Sequence, residues 1–385
     1  PLKDAKKLAD IYYKKGFQEV EAKSGVHEGT FKVFVNFLPV ADITYSPDIL
    51  YKKINKESIT IDGIKYCSPN FLRMSMYLEL SRPDGDVSRW EKVLKRLTLL
   101  NNNYPVSGVN CEFEDIQRLF QFGADKKKLI KNYSEKNKEK DLQNIEEQLF
   151  HVIRDTLVDN GCVFFGAFAN KLYLKQLKSL SRSRIPSIPD FDVLSEQPEQ
   201  TAKMVKDKLS KMGIKQVKII KQKGIGEIIA PHYEIRIGKE TLMFIYEPLA
   251  CHSYNVIRFN KRKIRIATID TMLSFYLAFL FANRVYYDQN RILCMSEYLF
   301  KVQQKNRLKQ RGLLKRFSID CYGKQLTIEM MREEKSNKFK ELKNNRNSKE
   351  YEWWFLRYVP AELNRNKSKK TPKKSVKTTV KRKKK

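Results

Sequence analysis

Two aspartates, Asp190 and Asp192, stand one residue apart in the stretch "IPSIPDFDVLSEQ" at 185–197. Side chains at i and i+2 of a strand leave the same face, so a strand here sets two carboxylates side by side. Like charges that close repel unless a cation lies between them. A divalent metal, which takes oxygen ligands, is the usual one. Upstream, "GCVFFGAFANKLYLKQL" at 161–177 reads as an apolar strand, a turn at Gly166-Ala167 and a helix. Glycine lets the backbone approach a phosphate, and a helix N-terminus favours negative charge. Strand, glycine turn, helix, then Asp-x-Asp on a neighbouring strand is a frame for nucleotidyl transfer. Two Mg²⁺ or Mn²⁺ ions would be held there, one activating a hydroxyl and one steadying the pyrophosphate. The competing reading is a pair of solvated turn aspartates after Pro189.

A third carboxylate from a later strand would complete such a site. An internal repeat supplies the candidates. The helix "AKKLADIYYKKG" at 5–16 aligns with "AKMVKDKLSKMG" at 202–213, placing Gly16 on Gly213 and Val20 on Val217. Each is followed by a β-rich stretch, 31–45 and 233–248, and then by a strand and helix, 63–80 and 263–280. Three matched elements in one order point to duplication. Strand alternation sets Phe244 of the second copy against Asp42 of the first, and a small gap brings in Glu247 instead. Glu234, on the earlier strand, is a further option. Glu247 is preferred; Phe244 would leave no third ligand and a dead site. Asp42, in "VADIT" at 40–44, sits mid-strand among apolar neighbours, as a third metal ligand should; the competing reading is a strand-end charge facing solvent. The elements that would carry its Asp-x-Asp partners fall before position 1, so the first copy reads as incomplete at its N-terminus.

These segments resemble the poly(A) polymerase catalytic subunits of large nucleocytoplasmic DNA viruses, the giant-virus and poxvirus type. Carrying the resemblance are "VADIT", "SPNFLRMSMYLELSRPDGDVSRWEKVLKRL" (68–97), "FFGAFANKLY" (164–173), "PDFDVLS" (189–195) and "IYEPLACHSYN" (245–255). "ATIDTMLSFYLAFLFA" (267–282) and "LLKRFSIDCYGKQ" (313–325) extend it. The resemblance implies an α+β fold of tandem nucleotidyltransferase-like domains, each a polymerase-beta-like mixed sheet with flanking helices, one active and one degenerate. It implies ATP as substrate, an RNA 3′ end as acceptor, divalent metal, and a role in mRNA 3′-end processing in the host cytoplasm, at the viral factory, and in the virion. Carried onto this sequence, the metal ligands and catalytic residues are Asp190, Asp192, Glu247 and Asp42, and the nucleotide turn is Gly166-Ala167. That turn departs from the usual Gly-Gly or Gly-Ser, and the interval from Gly166 to Asp190 is long. The active centre is therefore expected in the first copy. The alternative function is a non-catalytic RNA-binding and dimerisation module, a homodimer of degenerate domains.

The elements divide into an incomplete first domain (1–112), a helical linker (113–150), a second domain (151–332), a C-terminal helical segment (333–366) and a disordered basic tail (367–385). Lys plus Arg is 76 against 44 acids in 385 residues, a net of +32. The tail holds eleven of those basic residues and no acid, and the remainder is still strongly basic. Such a surface suits a polyanion, with nucleic acid first; lysine-rich codon bias is the plain alternative. No apolar run has the roughly 18 residues of a membrane helix, so no membrane partner is expected. The six cysteines are scattered without a CxxC pair, which favours reduced thiols over disulfides or zinc. Arg89, Lys92, Lys95 and Arg96 share a helix face that would meet phosphates or water equally well. His252 reads as a packing residue, and Trp353, Trp354 and Phe355 as a core anchor.

Overall fold

The computed structural model describes residues 1–111, 140–177, 188–259 and 261–362. They are grouped in two compact units, one of residues 1–46 with 327–362 and the other of 47–326.

The first unit is a helix on a sheet. Helix Leu2–Lys14 turns Ala5 and Ala9, both fully buried, onto the strands. Small side chains there let helix and sheet approach closely. Gly16 then takes φ +100°, a left-handed conformation suited to ending a helix. Four antiparallel strands follow in the order Arg357–Tyr358, Val20–Ser24, Thr30–Val35 and Leu38–Thr44. Val20, Ala22, Phe31, Val33 and Val35 form the buried face. Trp353, from helix Lys349–Phe355, sets its ring edge-on to Phe31 (5.4 Å) and Tyr45 (6.0 Å). Trp354 is buried, and Phe355 packs on Phe339 and Tyr351. The aromatic cluster thus anchors a helix, as its composition suggests.

The second unit holds an eight-stranded mixed sheet. Its order is Cys321–Tyr322, His252–Phe259, Arg262–Ala267, Val163–Phe164, Phe191–Leu194, Glu240–Tyr246, His232–Ile237, Val217–Gln222. Two pairings are parallel, Arg262–Ala267 with Val163–Phe164 and Phe191–Leu194 with Glu240–Tyr246. Helix Ile269–Phe279 is buried all round, as its nearly unbroken apolar sequence requires. Helix Pro69–Leu80 packs along it with Met74, Tyr77 and Leu80. The one acid on the buried helix, Asp270, is satisfied by Arg316 at 2.6 and 3.0 Å and by Gln303.

The two repeated segments adopt the same local topology. Helix Pro198–Lys211 ends at Gly213, also left-handed at φ +81°, and leads into the meander Val217–Gln222, His232–Ile237, Glu240–Tyr246. Both hairpins carry one extra residue at the same step. In the first, Ala41 pairs with Val33 and Pro39 with Phe34; in the second, Met243 pairs with Ile235 and Thr241 with Arg236. Val40 and Leu242 are the inserted residues, and such shared bulges fix the register.

Two expectations need correction. Residues 1–112 do not form one domain. Strand Arg357–Tyr358 closes on Val20–Ser24, across more than 330 residues of sequence, while helix Pro69–Leu80 buries its apolar face in the second unit. The repeat pattern is local and reveals neither long-range pairing. Four cysteines are not thiols: Cys111 bonds Cys294 and Cys251 bonds Cys321, with Cα atoms 5.3 and 5.1 Å apart. Separations of 183 and 70 residues leave no spacing signal to read. Cys67 and Cys162 are free. Most of the expected linker, and the whole basic tail, lie outside the described residues. Among the described residues no helix is long and apolar enough to cross a membrane.

Removing the Trp353 ring should unseat the helix from the first sheet. Trp353→Ala is expected to cost about 2 kcal/mol, the lower side of large-to-small aromatic losses because the ring is partly exposed. Denaturant unfolding measures this, and an unchanged midpoint would count against the anchoring role.

Candidate active site

Strand Phe191–Leu194 carries Asp192 within it and Asp190 just ahead of it. Both carboxylates line one cavity, as i and i+2 spacing requires. The upstream frame is present too: strand Val163–Phe164, Gly166, and helix Ala167–Leu174. The turn is spent on the strand beside it. Phe165 and Gly166 N–H groups donate to the Asp192 carbonyl at 2.9 and 3.3 Å, and the Phe168 N–H to the Asp190 carbonyl at 3.2 Å. A Cβ on Gly166 would lie 2.1 Å from Asp192 Oδ2. The glycine is therefore demanded by the aspartate side chain, which occupies the approach a phosphate would need. Ala167 lines the same cavity.

The parallel register with Glu240–Tyr246 puts Phe244 opposite Asp192. The shared bulge puts that same Phe244 where the first copy has Asp42, and Glu234 where it has Lys32. Glu247 lies past the end of this strand and is exposed. Glu234 is fully buried and engaged by Gln222 at 3.1 Å, Arg236 at 2.6 Å and Thr241. Neither lines the cavity with Asp190 and Asp192. Aromatic rings line the space instead: Phe244 on Tyr286 (4.8 Å), Phe279 stacked on Tyr287 (4.2 Å), and Tyr276. The space left between them holds about two waters and is partly open to solvent.

Electrostatics follow from this burial. Burial, and then the neighbouring Asp192 charge, push the Asp190 carboxyl well above its ordinary value, and Arg291 opposes them. Burial raises Asp192 to about 7, again against Arg291. Asp190 Oδ1 has no hydrogen-bond partner among the described residues. A pair of metal ions does not fit here. The third carboxylate position holds a phenyl ring, and the guanidinium of Arg291 already supplies positive charge. Arg291, Tyr276, Tyr286 and Tyr287 escaped the sequence reading; the signal for three of them is the tyrosine- and arginine-rich "NRVYYDQNR" at 283–291, and Tyr276 lies unmarked in the apolar helix at 267–282.

Asp42 belongs to the first unit. It lies on Leu38–Thr44, an edge strand of the described first sheet, opposite Lys32, whose Nζ is 3.0 Å from both carboxylate oxygens. Its side chain is 54% exposed, open to further ligands. Elsewhere, Arg89 pairs with Glu79 (3.2 Å) and Lys95 with Glu91 (2.6 Å), and Lys92 and Arg96 are exposed. His252 is buried 4.8 Å from the Phe275 ring; burial and then Arg82 hold it near 3, so it stays neutral. Among the described residues one group of three candidate metal-ligating atoms occurs, Asp84 with Cys251 and Cys321, and its two sulfurs are bonded to each other.

Comparison with known proteins bears on the exposed carboxylate. Residues 1–86 match the family model described as the poly(A) polymerase catalytic subunit. Asp42 lies inside that span. The resemblance read from the sequence therefore holds. A chain described as a poly(A) polymerase catalytic subunit of Acanthamoeba polyphaga mimivirus is 37% identical over 107 residues, 28% of this chain and 18% of the relative. Its counterpart from African swine fever virus is 33% identical over 111 residues, 27% of this chain and 23% of the relative. The matched part thus spans about a fifth of these relatives' length. The crystal structure of the Megavirus polyadenylate synthase superposes with a TM-score of 0.70 at 20% identity, covering 97% of this chain and 73% of that one. The likeness extends the shared fold across both units.

The raised carboxyls give a pH dependence. A group that binds its proton more tightly folded than unfolded makes stability fall as pH rises between its two pKa values. For Asp192 the window runs from about 4, its unfolded value, to about 7. Asp192→Asn should flatten this slope and stabilise the protein at pH 8 by about 2 kcal/mol, since a desolvated charge is removed. Added Mg²⁺ should leave the melting of either form unchanged. Mg²⁺-dependent stabilisation that disappears in the variant would make Asp192 a metal ligand after all.

Proposed function

We propose that the chain is part of a polynucleotide adenylyltransferase that adds AMP from ATP to RNA 3′ ends by two-metal transfer, with its centre at Asp42. One register equivalence carries the reading: where the first copy has an exposed carboxylate, the second has Phe244. The second copy is the degenerate member of a tandem nucleotidyltransferase-like pair. Asp190 persists there buried and Asp192 half-buried, in a narrow pocket lined by aromatic rings.

Asp42 alone cannot hold two Mg²⁺ or Mn²⁺ ions. In the second copy the equivalent strand is paired in parallel with Phe191–Leu194, which brings Asp192 beside Phe244. By the same topology, Leu38–Thr44 would take a parallel strand bearing two more carboxylates. The residues at Asp42 fit one ligand of a divalent site, with Lys32 as the charge that steadies the carboxylate until metal displaces it. Bound there, the metals would activate the RNA hydroxyl and stabilise the departing pyrophosphate. The basic tail at 367–385 adds a phosphate-gripping arm, and the setting is mRNA 3′-end processing in the host cytoplasm and virion. A non-catalytic RNA-binding module that self-associates is the alternative, and it requires Asp42 to be dispensable.

Extension of labelled RNA with ATP and Mn²⁺, by the native protein carrying this sequence, decides between them. Asp42→Ala should lower extension by about a hundredfold or more, since groups that only orient a metal ligand already cost about tenfold to a hundredfold. Asp190→Asn and Asp192→Asn should retain it. Offering CTP or UTP alone tests base choice. Extension that survives Asp42→Ala would move the chain to the non-catalytic reading.

A further inference from the structure

Several surface lysines of this protein are neutralised by acids close by in the sequence. Lys53 pairs with Glu57, Lys95 with Glu91, Lys203 with Glu199, and Lys338 with Glu341 and Glu350. Two segments of the second unit carry no acid of their own, although Arg262, Lys301 and Arg316 within them pair with Asp155 and Asp159, Glu297 and Asp270. "VIRFNKRKIRIA" at 256–267 has five basic residues and no acid, and "YLFKVQQKNRLKQRGLLKRFSI" at 298–319 has seven and no acid. The fold brings them together. Asn255, on strand His252–Phe259, donates from Nδ2 to the carbonyls of Leu313 (3.1 Å) and Lys315 (2.7 Å). The loop that follows helix Gln289–Lys305 is thereby fastened to the basic hairpin.

Arg258, Lys263, Lys305, Arg307, Lys309 and Arg311 are all exposed, and none forms an ion pair among the described residues. Arg258 and Lys263 are directly opposite each other in the hairpin. Like charges in that position destabilise a strand pair, so the arrangement costs stability unless an anion sits over it. Nearby Arg265 lies against the rings of Tyr254 (5.4 Å) and Tyr322 (5.8 Å), beside an open cavity of about 260 Å³. The Phe259 ring is 49% exposed at the hairpin's end, a surface on which a base can stack.

We infer that this hairpin and loop form a track for the phosphates of single-stranded RNA, separate from the nucleotidyl-transfer centre. Arg258 and Lys263 face each other across the hairpin, and Lys305, Arg307, Lys309 and Arg311 follow one another from the helix end into the loop, so together they offer charge to successive phosphates and read no base edges. An amphipathic helix of the kind that lies on membranes is not part of the track. The inference deepens the reading above by giving the body of the RNA a place to lie while its 3′ end is extended. It requires binding alone, so it stands or falls independently of Asp42.

The test is fluorescence anisotropy of a short 5′-labelled single-stranded RNA, without ATP, over a series of KCl concentrations. The fourfold variant Arg258→Ala/Lys263→Ala/Lys309→Ala/Arg311→Ala should bind at least about tenfold more weakly at low salt. Its log–log salt slope should be shallower by roughly 3, at about 0.7 per phosphate contact. The loss should be equal for RNAs of unrelated sequence. A folded variant with unchanged slope overturns the proposal. Should the variant fail to fold, acetylation of the wild-type protein gives the answer: RNA should protect Lys263 and Lys309, and absence of protection is equally fatal. Polyglutamate that competes as well as RNA at matched charge would assign the surface to an acidic protein instead.

Discussion

Everything at the second-unit site follows from one contact, the phenyl ring of Phe244 beside the carboxylate of Asp192 on a parallel neighbour strand. A carboxylate in that position would share metal ions with Asp190 and Asp192. A ring cannot. Without metal, two buried like charges are tolerable only if they hold protons or borrow a fixed cation, and both occur here. Their carboxyls are raised by burial, and Arg291 lies in the same cavity. The same pocket is lined by Tyr276, Tyr287 and Phe279, which leave it narrow. The glycine turn suffers the same change of use. Its closeness serves Asp192, not a triphosphate.

The first unit presents the complementary case. Its helix and meander repeat the second copy down to the bulge, yet its Leu38–Thr44 strand is an edge where the second copy's counterpart is paired on both sides. Edge strands with exposed apolar residues invite further pairing. Phe37, Leu38 and Val40 are exposed along this one. A carboxylate on such an edge, free of apolar closure, keeps the hydration and access that metal exchange and substrate entry demand.

Much of this was legible in the sequence. The glycine turn and the Asp-x-Asp pair announced themselves by spacing, and the strand order around them followed. The repeat was visible because helix periodicity and the two terminal glycines, Gly16 and Gly213, sit at one offset. Strand alternation already offered Phe244 as the partner of Asp42. The preference for Glu247 required a gap, and the structure shows a bulge of equal length in both copies, so no gap is present. Contacts made across the chain were illegible. Tyr286, Tyr287 and Arg291 reach the cavity from a loop and helix about 100 residues beyond Asp190, and nothing local marks them. The disulfides and the closing strand Arg357–Tyr358 are long-range for the same reason.

The central claim is that the buried aspartate pair has lost metal binding because its third position is phenyl. Anomalous scattering from crystals of the protein grown with Mn²⁺ tests it most directly. The account requires no manganese peak between Asp190 and Asp192. A peak there, within bonding distance of both carboxylates, would contradict it.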